Sequence, residues 1–326
     1  MTSWLENIHH RSSILVDQIS IVKSRAIRDN IDLSGLLDFY NEKIYELFDE
    51  ELPLAKILDN SDVVIHASGP CATPDSPSLK AFNWICDSVN KNIKNLTKNI
   101  LYSGYDNSDK IAKKLDIRFN GYASGSIYAG FSIAEQKGLF DIGVEGEFHY
   151  RIKEMLDVMT CFAKIVGKEN RFLNSELSEI ESDPAHRDAI MEALWGISPS
   201  GKNGIDKIDI STKSVSPSSL HVEDRAFLKK YLKRDYSPAG SRGSFLGVVR
   251  EIDLDASRFH LRGVKGIGSI RCVFDNKKIR NIRSILDSEV KIVGQYEKNK
   301  EGIPRLMKVE SIEVIEGPVQ YEIKQS

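Results

Sequence analysis

The last quarter of the chain is dominated by short segments in which apolar and polar residues alternate. Alternation with a period of two residues is typical of β-strands that bury one face. Five such segments occur, with a stretch of helical spacing after the third: SFLGVVREIDL, SRFHLR, SIRCVF, KKIRNIRSILDS, SEVKIVGQY and RLMKVESIEVI. The sequence therefore predicts three strands, a helix and two further strands between residues 244 and 315.

This order of elements resembles the OB-fold superfamily, whose members are five-stranded Greek-key barrels. The resemblance covers residues 244–315 only and carries no functional residue with it. It implies an OB-like β-barrel domain at residues 244–326. Because OB-folds often bind oligonucleotides through the face of strands 2 and 3, it also implies that this face is the place to look for a nucleic-acid site.

The two faces of the second and third segments differ in chemistry. Phe259 and Leu261 point to one side of the second strand, and Ile270, Cys272 and Phe274 match them in the third, so these residues are expected in the core. The outer face is basic, and its candidates for contacts with phosphate are Arg258, His260, Arg262, Lys265 and Arg271. Aromatic platforms that stack bases are missing from it, which weakens the nucleic-acid reading.

Three glycines, Gly263, Gly266 and Gly268, lie between the second and third strands. A glycine loop that cradles phosphate follows a strand and opens a helix, because the amide groups of the helix help to hold the anion. Here a β-type segment follows instead. The glycines are therefore predicted to supply positive φ in a hairpin turn.

Residues 1–198 are predicted to form an α+β domain that is mainly helical with a small sheet or hairpin. Apolar residues recur at intervals of three and four in several helical segments. The predicted helices are 14–27, 33–58, 78–101, 147–167 and 185–197, with a strand at 62–68 and a β-hairpin at 115–133. Residues 199–243 are rich in Ser, Gly and Pro, and we expect a linker there with one short strand, IDKIDI, and one helix.

Composition indicates an ordinary soluble globular protein, with 41% hydrophobic and 28% charged residues. Residues 241–326 carry 16 Lys and Arg against 12 Asp and Glu, so their charge of +4 and the −6 of the remainder give the net charge of −2. This asymmetry is too mild to indicate a nucleic-acid partner by bulk attraction. The four cysteines lack CxxC spacing, and no metal or cofactor site is predicted.

Neither a signal peptide nor an apolar run long enough to span a membrane is found in the sequence. Scattered cysteines without a disulfide pattern fit a reducing compartment. We therefore expect a cytoplasmic protein without a membrane partner.

Two segments carry residues of catalytic type. HASGPC places His66, Ser68 and Cys71 at the end of a strand, which would suit a hydrolase, although the nucleophile-elbow pattern GxSxG is absent. Residues 121–130, GYASGSIYAG, have small side chains that a ligand could approach closely, and a wide hairpin turn is the simpler interpretation.

A third pattern is that of metal-dependent nucleases. Glu289 and Lys291 form an ExK motif in the fourth predicted strand, with Asp275 or Asp287 as the second acid. Such spacing is common in a chain this rich in charge, and a solvated Glu/Lys pair explains it equally well.

No motif brings a nucleophile, a base and an orienting group together in a confirming context. The sequence therefore favours a non-catalytic regulatory or accessory protein that binds a partner protein, as an adaptor or neutralising factor of a prokaryotic regulatory or defence system. Nucleic-acid binding through the basic face is the first alternative, and a metal-dependent nuclease is the second.

Overall fold

A computed structural model describes residues 3–73, 76–101, 108–123, 126–134, 145–167, 174–233, 241–275, 279 and 282–317. The protein is α+β, as the sequence predicts, and contains two five-stranded sheets. The described helices are α1 (Trp4–Asp29), α2 (Ser34–Glu46), α3 (Leu52–Asn60), α4 (Leu79–Leu101), α5 (Ser108–Lys114), α6 (Glu145–Val166), α7 (Asn174–Ile180), α8 (Pro184–Ile197) and α9 (Val222–Leu232). A π-helical segment, Leu47–Glu51, joins α2 to α3.

Ten strands complete the described structure. They are β1 (Val63–Ser68), β2 (Ile117–Ala123), β3 (Ile127–Ile133), β4 (Lys207–Ser211), β5 (Ser218–His221), β6 (Ser241–Asp253), β7 (Arg258–Val264), β8 (Gly268–Val273), β9 (Glu289–Lys298) and β10 (Pro304–Glu316). None of the described helices combines the length and the apolar character that crossing a bilayer requires.

Helix α1 begins earlier than its apolar periodicity indicates because a capping box fixes its first turn. The hydroxyl of Ser3 accepts a hydrogen bond from the backbone N–H of Glu6, and the carboxylate of Glu6 accepts one from the backbone N–H of Ser3. The carboxylate of Asp59 in α3 accepts hydrogen bonds from the backbone N–H groups of Trp4 and Leu5. These contacts satisfy N–H groups that a helix start leaves without partners.

The first sheet has the strand order β2-β3-β1-β4-β5, and its neighbouring strands are antiparallel. The predicted strand 62–68 and the predicted hairpin are both confirmed and lie side by side. The strand IDKIDI is also confirmed, as β4. It pairs with the central strand β1 and carries β5 on its other side, because its alternating Ile208 and Ile210 complete the buried face of the sheet.

One face of this sheet is covered by α3. Ile57 of that helix, Val64 of β1 and Ala123 of β2 form a buried cluster, against which Tyr128 of β3 packs. Since side chains alternate along a strand, His66 lies on the same face of β1 as Val64. The register of β1 thus places a histidine at the edge of an apolar cluster.

The second sheet is a ring of five strands. Strand β6 pairs with β7 and β9, β7 pairs with β8, β8 pairs in parallel with β10, and β10 pairs with β9. We call this set of strands the β-ring. The predicted core residues are confirmed as buried in it: Phe259, Leu261, Ile270, Cys272 and Phe274.

The three glycines lie at the connection between β7 and β8, which is a turn, as predicted. Gly263 is near the end of β7, Gly266 lies between the strands and Gly268 begins β8. Gly263, Gly266 and Gly268 have φ of 71°, 73° and 86°, and β7 continues through the turn into the antiparallel β8. A Cβ atom added at any of the three would meet nothing within 4 Å. The left-handed backbone therefore requires glycine here, and close approach of another group does not.

The helix predicted between the third and fourth strands lies partly outside the described residues. Ile282–Ile285 form a 3-10 turn, and residues 276–278 and 280–281 lie outside the described residues. Both flanking isoleucines of the turn are buried in the core of the β-ring. In the described part of this segment, the helical spacing therefore corresponds to two buried residues of one 3-10 turn.

The division predicted from the sequence, 1–198, 199–243 and 244–326, stays a prediction. The chain forms two units, and the first consists of residues 1–90, 115–168 and 197–225. The second consists of residues 91–114, 169–196 and 226–326. The β-ring therefore shares a unit with the C-terminal end of α4 and with α8, which long-range ion pairs hold against it.

Candidate functional site

The predicted nucleic-acid residues of the β-ring are mostly inaccessible. Arg258, His260 and Arg271 point away from the core of the ring, as alternation requires, but their exposed fractions are only 4%, 5% and 3%. Helix α8 and the end of α4 supply the groups that cover them. These three side chains are thus buried in this structure, and their contacts with phosphate stay a prediction.

Asp188 of α8 lies between the two arginines. Its carboxylate accepts hydrogen bonds from Nε and Nη2 of Arg258 at 2.8 and 2.9 Å and from Nε of Arg271 at 2.7 Å. Burial alone would raise the pKa of Asp188, but the two guanidinium groups outweigh it and hold this pKa well below its usual range. Asp188 is therefore ionised between the two guanidinium groups.

Asn99, at the end of α4, and Glu192 of α8 complete the cover. The side-chain oxygen of Asn99 accepts a hydrogen bond from Nη1 of Arg271 at 2.6 Å and one from Nε2 of His260 at 2.9 Å. Glu192 accepts a hydrogen bond from Nη2 of Arg271. Burial, followed by the charge of Arg271, holds the pKa of His260 well below its usual range, so this imidazole is neutral.

A small polar cavity lies within this cluster, with Lys98, Glu192, Glu251 and Arg271 in its lining. Its volume of about 30 Å³ is enough for one or two water molecules and too small for a nucleotide. Lys98 and Glu251 form an ion pair at its side. The cavity is part of an internal polar network.

The two remaining candidates stay nearer to solvent. Arg262 is half-buried, and Lys265 is exposed in the glycine turn. Two cations near one turn are a small part of the basic surface that the sequence predicts. The nucleic-acid alternative loses most of the residues on which it depended.

The nuclease alternative gains no support from the described residues. Asp287 forms an exposed ion pair with Arg250, and Lys291 is exposed on β9. Among the residues with a described position, no group of three or more His, Cys, Asp or Glu side chains is arranged to hold a metal ion. A Glu/Lys pair at the surface, Glu289 and Lys291, matches the simpler of the two interpretations.

His66, singled out in the sequence, lies in a row of polar side chains that crosses the first sheet. It pairs in register with Tyr128 of β3 on one side and with Asp209 of β4 on the other, and Asp209 is opposite Ser219 of β5. The imidazole stacks on the ring of Tyr128 with centroids 3.9 Å apart and planes 4° from parallel. The sheet thus fixes both the position and the plane of the imidazole.

Both nitrogens of His66 have side-chain partners. Nδ1 is 3.0 Å from the carboxylate Oδ2 of Asp209, and Nε2 is 2.5 Å from the hydroxyl oxygen of Ser126. The other oxygen of Asp209 accepts a hydrogen bond from the hydroxyl of Ser219 at 2.5 Å and contacts Nζ of Lys207 at 3.0 Å. The hydroxyl of Ser126, the imidazole of His66 and the carboxylate of Asp209 therefore form a row of three groups linked by hydrogen bonds.

The surroundings of these hydrogen-bonded groups keep His66 neutral and Asp209 ionised. Burial lowers the pKa of His66, and the hydrogen bond and charge of Asp209 oppose this only in part. For Asp209, burial raises the pKa, but hydrogen bonds from Ser219, Lys207 and His66 together lower it below its usual value. A neutral imidazole can accept a proton from a hydroxyl group at neutral pH.

The partners of His66 differ from those the sequence suggested. The backbone N–H of Cys71 donates a hydrogen bond to the carbonyl of Gly204 at 2.9 Å, in the loop beyond the strand. Ser126 instead belongs to the segment 121–130, which we interpreted as a hairpin turn, and residues 124–125 of it lie outside the described residues. No short-range pattern relates His66 to Ser126 and Asp209, which are 60 and 143 residues away.

Helices α1 and α2 carry a second candidate surface. The two helices contact each other, yet only Ile8 and Val22 of α1 and no residue of α2 are buried. Ten of the nineteen large apolar side chains that are exposed in the described structure belong to residues 4–48. We call these ten residues the hairpin surface: Trp4, Ile14, Val16, Ile21, Ile27, Ile31, Leu36, Phe39, Tyr45 and Phe48.

The hairpin surface is bordered by acidic residues. Residues 34–51 contain six Asp and Glu and one Lys, which gives this segment a charge of −5. Glu51 pairs with Arg11 of α1, and Lys43 pairs with Glu46. The remaining carboxylates leave the segment strongly acidic beside its exposed Leu36, Phe39 and Phe48.

Comparison with known proteins gives little further information. No protein-family model matches the chain, and no match was found among curated proteins. Among solved structures, one similar chain is the hypothetical protein ygiW from E. coli, at 16% identity, covering 26% of this chain and 85% of that chain, with a TM-score of 0.19. A similarity at this level supports no conclusion about function.

Proposed function

We propose that this protein is a regulatory or accessory protein that binds a partner protein through the hairpin surface. The observation that supports the proposal is the concentration of exposed apolar side chains on α1, α2 and the π-helical segment. Soluble proteins rarely expose large apolar patches unless these bind something. Ile27 at 83% and Phe39 at 49% exposure are extreme for such side chains.

The spacing of the exposed apolar residues on α1 places them in two rows along the helix, which we call apolar ridges. Ile14 and Ile21 are seven residues apart, which is close to two helical turns, and Val16 and Ile27 are eleven apart, which is close to three. Each pair therefore shares a side of α1. The buried Ile8 and Val22 occupy the side between the two ridges, where α1 contacts the rest of its unit.

The charge of residues 34–51 selects the chemistry of the partner. An apolar surface flanked by a net charge of −5 complements an amphipathic helix whose apolar face is bordered by Lys and Arg. Such a helix would pack its i, i+3, i+4 and i+7 side chains against the exposed apolar side chains of the hairpin surface. We propose that the partner presents a basic amphipathic helix of this kind.

Two finer assignments belong to the proposal. The β-ring is of the OB type, which the antiparallel succession of β6, β7 and β8 and the parallel pairing of β8 with β10 support. The wider role, as a cytoplasmic adaptor or neutralising factor of a prokaryotic regulatory or defence system, stays a prediction.

Binding of synthetic peptides to the full chain tests the proposal. The probe is a fluorescent 18-residue amphipathic helix of Leu and Lys, and its matched control is the same peptide with Glu in place of Lys. We expect saturable binding of the Lys peptide alone, because the Glu peptide meets like charges at residues 34–51. The double variant Ile14→Ser with Ile21→Ser should bind the Lys peptide at least tenfold more weakly.

A matched variant and the oligomeric state complete the experiment. Leu79→Ser removes a side chain that is 72% exposed but lies outside the hairpin surface, and it should leave peptide affinity unchanged. Equal binding of both peptides, or an unchanged affinity of the Ile14 and Ile21 variant, would overturn the proposal. So would self-association that the same double variant abolishes while no peptide binds, since the surface would then be a contact between copies of the chain.

A further inference from the structure

We propose that Ser126, His66 and Asp209 form a nucleophilic site that transfers the acyl group of a carboxylic ester to water. This activity is separate from the proposed partner binding and uses different residues. It assigns a role to the histidine of HASGPC and to the serine of the segment 121–130.

The distances fit the roles that such chemistry needs. The hydroxyl of Ser126 is 2.5 Å from Nε2 of His66, which is hydrogen-bond distance for a nucleophile and its base. On the opposite side of the ring, Nδ1 is 3.0 Å from Asp209. A carboxylate at Nδ1 holds the proton on that nitrogen, so that Nε2 presents its lone pair to the hydroxyl.

The surroundings hold these groups in place. Tyr128 stacks in parallel on the imidazole, and Ser219 and Lys207 bind the second oxygen of Asp209. His66, Tyr128 and Asp209 stand on three neighbouring hydrogen-bonded strands, so their relative positions are set by the register of the sheet. Rigid elements position reacting groups more precisely than loops do.

The backbone of Ser126 supports a function for its hydroxyl. Its φ is +90°, in a region that a residue with a side chain rarely adopts, immediately before β3 begins. A glycine would adopt this conformation without strain, yet the chain has serine here. Backbone strain of this kind is concentrated at sites where the side chain has a task.

The reaction balances with these three residues, the ester and one water molecule. Oγ of Ser126 bonds to the carbonyl carbon while its proton moves to Nε2 of His66, and the carbon–oxygen bond to the leaving group then breaks as His66 returns that proton to the departing alkoxide. A water molecule next gives a proton to His66 and bonds to the acyl carbon, and Oγ of Ser126 leaves and takes the proton back. The products are a carboxylic acid and an alcohol, and Asp209 acts throughout as a positioning residue.

Two probes test the site on the full chain: a fluorophosphonate, which labels activated serines, and p-nitrophenyl acetate, which reports acyl transfer. We expect a single fluorophosphonate adduct on Ser126 by peptide mass spectrometry, and release of p-nitrophenolate above the buffer rate. Ser126→Gly removes the hydroxyl while suiting the positive φ, and it should abolish both signals. His66→Gln should slow labelling at least ~100-fold, as loss of a general base does.

Control variants separate the reaction from folding. Ser132→Ala removes a hydroxyl of the same strand β3 that donates its hydrogen bond to Asn120, outside the row of His66 and Asp209, and it should keep the adduct on Ser126. Ser126→Cys should restore a reactive group, seen as alkylation by iodoacetamide that His66→Gln slows in the double variant. An adduct at another residue, labelling that is unchanged by His66→Gln, or a wild-type protein no more reactive than Ser126→Gly would overturn the proposal.

Discussion

Arg258 and Asp188 form a two-bond ion pair, in which Nε and Nη2 of the arginine donate to the two carboxylate oxygens at 2.8 and 2.9 Å. Both side chains are almost fully buried, and the same carboxylate also accepts a hydrogen bond from Nε of Arg271. Arg258, which the sequence predicts to contact phosphate, thus forms an ion pair with helix α8 of its own unit. Arg258 and Arg271, which the sequence predicts on a phosphate-binding face, instead join the β-ring to α8 through Asp188.

Removing the charge of Asp188 should destabilise this unit severely. Asp188→Asn keeps the shape but leaves Arg258 and Arg271 buried without their shared counter-ion, and we expect a loss of about 3–5 kcal/mol in the free energy of unfolding. Urea denaturation measures it. The matched control is Asp287→Asn, at the half-exposed pair with Arg250, which should cost less than about 1 kcal/mol. Equal losses in both variants would contradict the prediction.

Stability should fall as the pH is lowered from 7 to 5, because His260 resists protonation in the folded chain. It is buried and faces the cations Arg271, Lys98, Arg262 and Arg305, so its pKa lies well below the usual value. In the unfolded chain the pKa is near 6.5, so below that pH the unfolded state binds a proton that the native state does not. This group contributes a slope of up to about 1.4 kcal/mol per pH unit.

The variant His260→Gln isolates that contribution. An amide has no proton to gain in this range, so the dependence of the unfolding free energy on pH should flatten between pH 6.5 and 5 by the stated slope. Denaturation with urea at several pH values measures the difference between the variant and the wild-type protein. Parallel curves would show that another group is responsible.

Gly294 should not tolerate a side chain. A Cβ atom there would lie 2.0 Å from the carbonyl oxygen of Lys308 on the neighbouring strand β10, and backbone cannot move aside as a flexible side chain can. We expect Gly294→Ala to lower the free energy of unfolding by about 1–3 kcal/mol or more. Thermal denaturation measures this loss, and Gly317→Ala, where a Cβ would meet nothing within 4 Å, should be neutral in the same measurement.

The rate at which the fluorophosphonate labels Ser126 should follow the titration of His66. Its pKa is lowered, mainly by burial and against the opposing effect of Asp209, and Lys207 lowers it further. The rate constant for fluorophosphonate labelling should therefore rise with pH to a plateau, with its midpoint below the ordinary value of about 6.5. Asp209→Asn should lower both the plateau and the midpoint. A rate that rises in proportion to hydroxide without a plateau would count against His66 as the base.

Local patterns explain which parts of the fold could be predicted. Alternation of Phe259 and Leu261 with polar residues fixes which side of β7 is buried, because side chains of a strand alternate whatever the strand pairs with. The positive φ of Gly263, Gly266 and Gly268 follows equally from local chemistry. These predictions needed no knowledge of the rest of the chain.

Long-range pairing explains what the sequence could not provide. Asp188 is 70 residues from Arg258 along the chain, and nothing near either residue indicates that α8 covers the outer face of β7. The same holds for Asp209, which stands in a segment rich in linker residues and is 143 residues from His66. A row of residues across a sheet becomes visible only when the strand order is known.

The unit that contains the β-ring is assembled from three separate stretches of chain, and this restricts how it could be inherited or engineered. A gene fragment that encodes only residues 241–326 would yield strands with two guanidinium groups and no carboxylate from Asp188 to pair with them. Such a fragment is therefore unsuitable as an independent module in fusion proteins. During translation, Asp188 is synthesised before Arg258 and Arg271. Helix α8 therefore cannot form its ion pairs with the β-ring until both arginines have been synthesised.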